Sequence, residues 1–72
     1  MLCVQGQSGR LYLLTHERIY EIDGLGRKVR STCWEIENGL HFPQVDHLWA
    51  MTLALQVDEQ RVLRRFPWRK AT

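Results

Sequence analysis

Residues 58–70, DEQRVLRRFPWRK, decide the fold class, because their apolar and basic side chains separate at the period of an α-helix. At 100° per residue, one arc of about 100° holds Glu59, Val62, Leu63 and Phe66. The opposite arc holds Gln60, Arg61, Arg64 and Arg65. A strand would mix apolar and basic residues on both of its faces. The segment is therefore predicted to be a short helix with one apolar face and one cationic face.

Signals at both ends agree with this helix. Asp58 is a favourable N-cap, since its carboxylate can accept hydrogen bonds from the free N–H groups of the first turn. Glu59 would lie at the positive end of the helix dipole, and Arg64 and Arg65 at the negative end. Pro67 has no N–H to donate, so the helix is expected to end before it.

The preceding residues 46–56, DHLWAMTLALQ, fit two descriptions. Their composition favours a helix that Asp46 could cap. The larger apolar residues nevertheless alternate as in a strand: Trp49, Met51, Leu53, Leu55 and Val57. We favour the helix, because β-branched residues are scarce and a well-marked helix follows. A helix here would be apolar almost all round, which suits an element buried on several sides.

Residues 1–42 are predicted to form an antiparallel β-meander of four or five strands, with strand-like segments at 2–4, 11–15, 19–22, 29–37 and 40–42. Polar or glycine-rich turns separate them, and Asn38-Gly39 is the strongest turn signal because both residues tolerate a type I′ turn. With a helical segment at 46–66, the fold class is α+β. An all-β meander of six strands is the alternative.

The totals indicate a single small domain over residues 1–72 whose last residues, about 67–72, form a basic tail. Residues 1–60 carry five basic and eight acidic groups, whereas residues 61–72 carry five basic groups and no acidic one. Such asymmetry is typical of a surface that contacts a polyanion, although a solvated tail would show it too. A chain this short buries only about 60% of its unfolded surface, so a homodimer would add stability.

Composition also bears on location. No apolar run approaches the roughly 20 residues that span a bilayer, so no membrane association is expected. The first residues resemble no secretory signal. We therefore expect a cytoplasmic protein in which Cys3 and Cys33 are free thiols.

Residues 51–66, MTLALQVDEQRVLRRF, resemble a loose helix-turn-helix pattern. The small Thr52 and Ala54 would allow close helix packing, and residues 55–58 would supply the turn and the cap. The sequence departs from that pattern in two ways: Gln56 stands where the turn usually has glycine, and no third helix follows. The resemblance implies that the second helix contacts bases and phosphates in the major groove of DNA.

The predicted function is non-enzymatic binding, with DNA or RNA as the partner. The predicted contact residues are Gln60, Arg61, Arg64, Arg65, Trp68, Arg69 and Lys70. Trp68 could stack on bases, or could fold back onto the sheet. Because Trp and Arg also dominate protein interfaces, the alternative is a protein–protein interaction module, such as a small adaptor or inhibitor, including one carried by mobile elements.

Catalysis, metal binding and cofactor binding find little support. The chain lacks a glycine-rich phosphate loop, and no serine stands in a recognisable arrangement with a histidine. His16, His41 and His47, together with the two cysteines, lack the close spacings of zinc ligands. We expect neither an enzyme nor a metal or cofactor site.

Overall fold

The computed structural model describes residues 1–33, 35–36, 39–40, 45–66 and 68–70, and it has an antiparallel sheet packed against one long helix. Four consecutive strands form a meander: β1 (Leu2–Gln5), β2 (Leu11–Leu14), β3 (Arg18–Ile22) and β4 (Lys28–Cys33). The helix, α1, spans Val45–Arg65. The α+β class is thereby confirmed.

The turn between β2 and β3 is held by the side chain of Thr15. Its hydroxyl oxygen accepts hydrogen bonds from the amides of Glu17 (3.2 Å) and Arg18 (3.1 Å). The amide of Thr15 in turn donates to the carbonyl of Arg18 at 3.0 Å. The strand-like segments predicted at 11–15 and 19–22 therefore do form a hairpin, with His16 and Glu17 at its tip.

The turn between β3 and β4 depends on Asp23. Its Oδ1 accepts hydrogen bonds from the amides of Leu25 and Arg27, both at 2.9 Å. Gly26 has a φ of 80°, which a residue with a side chain rarely adopts. From its two glycines, the sequence of this turn (Asp23-Gly24-Leu25-Gly26) predicts a positive φ at both positions, but Gly24 does not have one, so that prediction is wrong for Gly24.

Helix α1 confirms the helical interpretation of residues 46–56 and excludes a strand there. Asp58 interrupts it, with a φ of −142° and a ψ of 64°, so that segments 45–57 and 59–65 meet at a kink. These angles are non-helical, as the predicted N-cap role of Asp58 requires, but the ψ lies below the β region that N-cap residues usually adopt.

A backbone hydrogen bond joins a loop of the sheet to the helix near the kink. The carbonyl of Leu55, three residues before Asp58, accepts a hydrogen bond at 3.2 Å from the amide of Gln7, in the loop between β1 and β2. This loop therefore contacts the helix at the place where it bends.

The core lies between the meander and the helix. The sheet contributes Tyr12, Leu14 and Ile19, which have no exposed surface, and Val4. The helix contributes Leu48, Leu55, Val62 and Leu63, and Phe66 packs against this cluster. The apolar arc predicted for residues 59–66 is confirmed.

Three further short strands lie among the residues that the structure describes. The predicted strand at 29–37 divides in two, because β5 (Glu35–Ile36) pairs with β6 (Gly39–Leu40) in a separate two-stranded sheet. An antiparallel pair is thus confirmed here, but Gly39 lies in β6 opposite Ile36 and not in the turn where the sequence analysis placed it, and Asn38 lies outside the described residues. Strand β7 (Arg69–Lys70) pairs with β4 at the edge of the main sheet, which the sequence analysis did not predict.

Candidate nucleic-acid interface

The basic face of the helix lies on segment 59–65, beyond the kink. Val62 and Leu63 are buried in the core, and they fix which way this segment faces. The opposite side carries four of the predicted contact residues, all exposed: Gln60, Arg61, Arg64 and Arg65. The structure therefore brings these four together on one short surface, which we call the basic face.

The charges of the basic face are not neutralised by acidic side chains within the described part of the chain. Elsewhere in the chain, by contrast, Arg27 lies 2.8 Å from a carboxylate oxygen of Asp23 in the turn between β3 and β4, and Arg30 in β4 lies 3.0 Å from one of Glu21 in β3. No such pair forms at the three helix arginines among the residues that the structure describes. Arg65 has its guanidinium 5.7 Å from the centre of the Phe66 ring.

The acidic residue nearest in sequence, Glu59, points away from the basic face. It is 2% exposed, and its carboxylate accepts three hydrogen bonds. Oε1 accepts from the hydroxyls of Ser8 and Tyr12, each at 2.8 Å, and Oε2 accepts from the amide of Ser8 at 3.2 Å. Its charge is therefore balanced by sheet and loop dipoles and not by the helix arginines.

The environment of Glu59 acts on the pKa values of both buried groups. Burial opposes ionisation of Glu59, but the hydrogen bonds from Ser8 and Tyr12 outweigh it and hold the pKa of the carboxyl below its ordinary value. Burial, and then the bond to Glu59 and its charge, raise the pKa of Tyr12 to about 12. Glu59 is therefore ionised and Tyr12 neutral at pH 7.

The absence of a side chain at Gly6 leaves the space that Glu59 and Tyr12 occupy. A Cβ at that position would clash with Oε1 of Glu59, and it would lie 2.7 Å from a ring carbon of Tyr12. Only glycine therefore lets the loop between β1 and β2 approach the buried carboxylate this closely.

A groove of about 390 Å³ lies along the helix at the kink. Its apolar lining comes from Ala50, Met51, Ala54, Val57, Val62 and Phe66. Asp58, Arg61 and Arg65 supply its polar lining. Arg61 and Arg65 of the basic face therefore also border this groove, and the acidic Asp58 borders it with them.

Trp68 is not presented as an open stacking surface. Its ring stacks on that of Tyr12, with centroids 6.0 Å apart and planes 14° apart. The guanidinium of Arg30 lies 4.3 Å from the centre of its ring. The half-buried side chain has folded back onto the sheet, the second of the two arrangements that the sequence allowed.

Arg69 and Lys70 belong to the sheet through their backbone. They form β7, in which Lys70 pairs with Arg30 and Arg69 with Ser31. Arg69 and Lys70 therefore lie on a strand, whereas the residues of the basic face lie on the helix. The predicted contact residues thus fall into a helical group of four and a sheet-edge group of three.

The buried cluster of Glu59, Tyr12 and Ser8 was missed by the sequence analysis as a unit. A signal for it existed, because Glu59 falls in the apolar arc of the helix, where an acidic residue needs a buried partner. Its partners, Tyr12 and Ser8, precede Glu59 in the sequence by 47 and 51 positions. Periodicity within the helix carries no information about such distant contacts.

The chain matches no protein-family model, no curated protein and no solved structure. Within the part of the chain that the structure describes, no helix is long and apolar enough to cross a membrane. Over the same residues, no three of the histidine, cysteine and acidic side chains lie together as a metal site would require.

Proposed function

We propose that this protein is a small, non-enzymatic binding protein that contacts DNA or RNA through the basic face. The observation that carries the proposal is the set of three exposed arginines on one helical turn and a half, without acidic partners among the described residues. A surface whose cations lack counter-charges attracts phosphates and gains from the release of their counterions.

The direction in which Glu59 points supports this proposal. Its carboxylate is bound by Ser8 and Tyr12, so it does not screen the arginines that follow it. Burying Glu59, Val62 and Leu63 also locks the segment in place, and the arginines are thus held on a rigid element. A preformed face loses less conformational entropy on binding than a flexible tail would.

Within the interface, Arg61, Arg64 and Arg65 would contact phosphates, and Gln60 would supply contacts to base edges. Arg69 and Lys70, whose backbone forms β7 at the edge of the sheet, would add further phosphate contacts. Trp68 has a lesser part in this proposal than the sequence suggested, because Tyr12 and Arg30 already contact its ring. A cytoplasmic location belongs to the proposal as well, since the thiol of Cys3 would stay reduced there.

The test is fluorescence anisotropy with a labelled DNA duplex over a salt series. The variant Arg61→Ala/Arg64→Ala/Arg65→Ala removes three positive charges from the basic face. If these charges neutralise three phosphates, the log–log salt slope of the wild type should exceed that of the variant by about 2.7, at roughly 0.9 per contact. Circular dichroism of the variant would confirm that it folds.

A matched control removes the same charge from residues outside the basic face. The variant Arg10→Ala/Arg27→Ala/Lys28→Ala loses three exposed cations that lie in strands of the sheet or next to them. Its log–log salt slope should stay within about 0.9 of the wild-type value, which corresponds to one phosphate contact, because those residues lie outside the basic face. Equal loss of slope in both variants would mean that only net charge matters, and a wild type that ignores nucleic acid at low salt would refute the proposal.

A protein–protein interaction module, such as an adaptor or inhibitor, is the second candidate. It is favoured by apolar side chains on the outer side of the helix, where Trp49 and Val57 are largely exposed. Exposed apolar surface of this kind marks interaction sites. Binding through it would be much less sensitive to salt than binding through the basic face.

A further inference from the structure

An apolar stripe runs along the exposed side of α1 before the kink. Trp49 is 61% exposed, Leu53 49% and Val57 74%. Their spacing of four residues places them above one another on the same side of the helix. The core already has Leu48 and Leu55 from other sides of the same segment, so the stripe is not needed to hold the helix on the sheet.

The stripe continues into the groove at the kink. Val57 belongs to both, and Ala50 and Ala54 extend the lining between them. Pockets that hold whole small molecules start at about 300 Å³, so the groove, at about 390 Å³, has room for one indole ring. The same helix therefore has an exposed indole side chain, Trp49, and a groove large enough to hold an indole side chain.

The helix is also acidic at one end and basic at the other. Asp46 lies in its first turn, and Arg64 and Arg65 lie in its last. Arg61 borders the groove. A partner complementary to this surface would be basic opposite Asp46 and acidic opposite Arg61, with a large apolar side chain near Val57. A second copy of α1, laid antiparallel, has these features in this order.

We infer that the chain forms an antiparallel homodimer through the stripe and the groove. A two-fold axis between Leu53 and Ala54 pairs residue 46 of one copy with residue 61 of the other, and residue 49 with residue 58. Trp49 of each copy then enters the groove of its partner beside Val57, and Asp46 faces Arg61. Because the contact is the same in both directions, the assembly closes as a dimer.

The dimer leaves part of the basic face open. Arg61 faces the partner and Arg65 borders the groove that the partner's Trp49 enters, whereas Gln60 and Arg64 do not line the groove. The two segments 59–65 lie at opposite ends of the paired helices. The inference does not depend on the proposed function, since it concerns association of the protein with itself. The gain in buried apolar surface is of most value to a chain as short as this one.

The test is sedimentation equilibrium of the full chain, without nucleic acid, over a range of concentrations. The wild type should be a dimer, and Trp49→Gln should raise its dissociation constant by about a hundredfold or more, as expected for a central aromatic contact. Leu25→Gln is the matched control, because Leu25 is 78% exposed in the turn between β3 and β4. It should leave the dissociation constant unchanged.

Charge reversal tests the antiparallel register. Asp46→Arg and Arg61→Asp should each weaken the dimer, and the two changes together should restore it. A wild type that stays monomeric up to about 1 mM would overturn the inference. So would a dimer that Trp49→Gln, shown to be folded by circular dichroism, does not weaken, or a double charge variant without any recovery.

Discussion

Replacing Glu59 by Gln tests how the helix is held on the sheet. The carboxylate accepts two hydrogen bonds of 2.8 Å from Ser8 and Tyr12, and one of 3.2 Å from the amide of Ser8. A hydrogen bond to a charged group contributes roughly 1.5–3 kcal/mol, and a neutral one roughly 0.5–1.5 kcal/mol. Losing the charge at the two short bonds therefore costs about 2 kcal/mol.

Two further effects act in opposite directions. If the NH₂ of Gln faces the two hydroxyls, they must turn to accept from it, and their own protons lose this acceptor; if it faces the amide of Ser8, one donor faces another. On the other hand, Gln is cheaper to bury than a carboxylate. We expect a net loss of about 1–2 kcal/mol in the free energy of unfolding, from a total of roughly 4–11 kcal/mol for a chain of this size.

Urea unfolding, followed by circular dichroism, measures this loss. With a denaturant slope of about 1 kcal/mol per M, the midpoint should fall by about 1–2 M. Glu17→Gln is the matched control, since Glu17 is exposed in the turn between β2 and β3, and its midpoint should not change. A Glu59→Gln midpoint within about 0.3 M of the wild type would refute the buried-acceptor role.

The pH dependence gives a second check on the same variant. Because the pKa of Glu59 is lower in the folded protein than its ordinary 4.5, the carboxylate stabilises the fold above that pH. That stabilisation is lost as the pH falls through the folded pKa. The difference between wild type and Glu59→Gln should therefore shrink from pH 6 toward pH 3, and a constant difference would contradict the assignment.

Three more predictions concern the sheet. The raised pKa of Tyr12, about 12 against an ordinary 10.0, means that its neutral phenol stabilises the fold below pH 10 and that this contribution is lost as the pH rises from 10 toward 12. Tyr12→Phe should accordingly lose less stability than the wild type over that range in urea titrations, and parallel losses would contradict the shift. Gly26→Ala should cost about 1–2 kcal/mol because φ is 80°, whereas Gly24→Ala should cost much less; equal melting temperatures would show that the turn is not strained. The exposed thiol of Cys3 should react with iodoacetamide in the folded protein, as mass spectrometry would show, and an unreactive thiol would place it in a contact.

Local sequence signals predicted the meander and the helix well. The period of residues 59–66 identified the side that is buried, and the non-helical angles of Asp58 agree with its cap role. The choice of helix over strand for 46–56 was right because composition and the following helix outweighed the alternation. The alternating residues are divided in the structure: Leu55 is buried, and Trp49 is exposed.

The features that the sequence analysis missed depend on long-range contacts. Strand β7 forms because Arg69 and Lys70 reach the edge of β4, about 40 residues earlier in the chain. Trp68 stacks on Tyr12, which is 56 positions earlier in the chain. The candidate interface was predicted more fully on the helix than at the sheet edge, since helical periodicity is a local property and strand pairing is not.

The most direct test of the proposed function is a ¹H–¹⁵N correlation spectrum of the labelled protein, titrated with a DNA duplex at low salt. The proposal predicts that the backbone amides of residues 59–65 shift most, and that the turn at residues 23–26 stays unchanged. It also predicts that added salt reverses the shifts, because phosphate contacts exchange with counterions. A spectrum without shifts at a tenfold excess of duplex, or with shifts confined to residues 49–57, would contradict it.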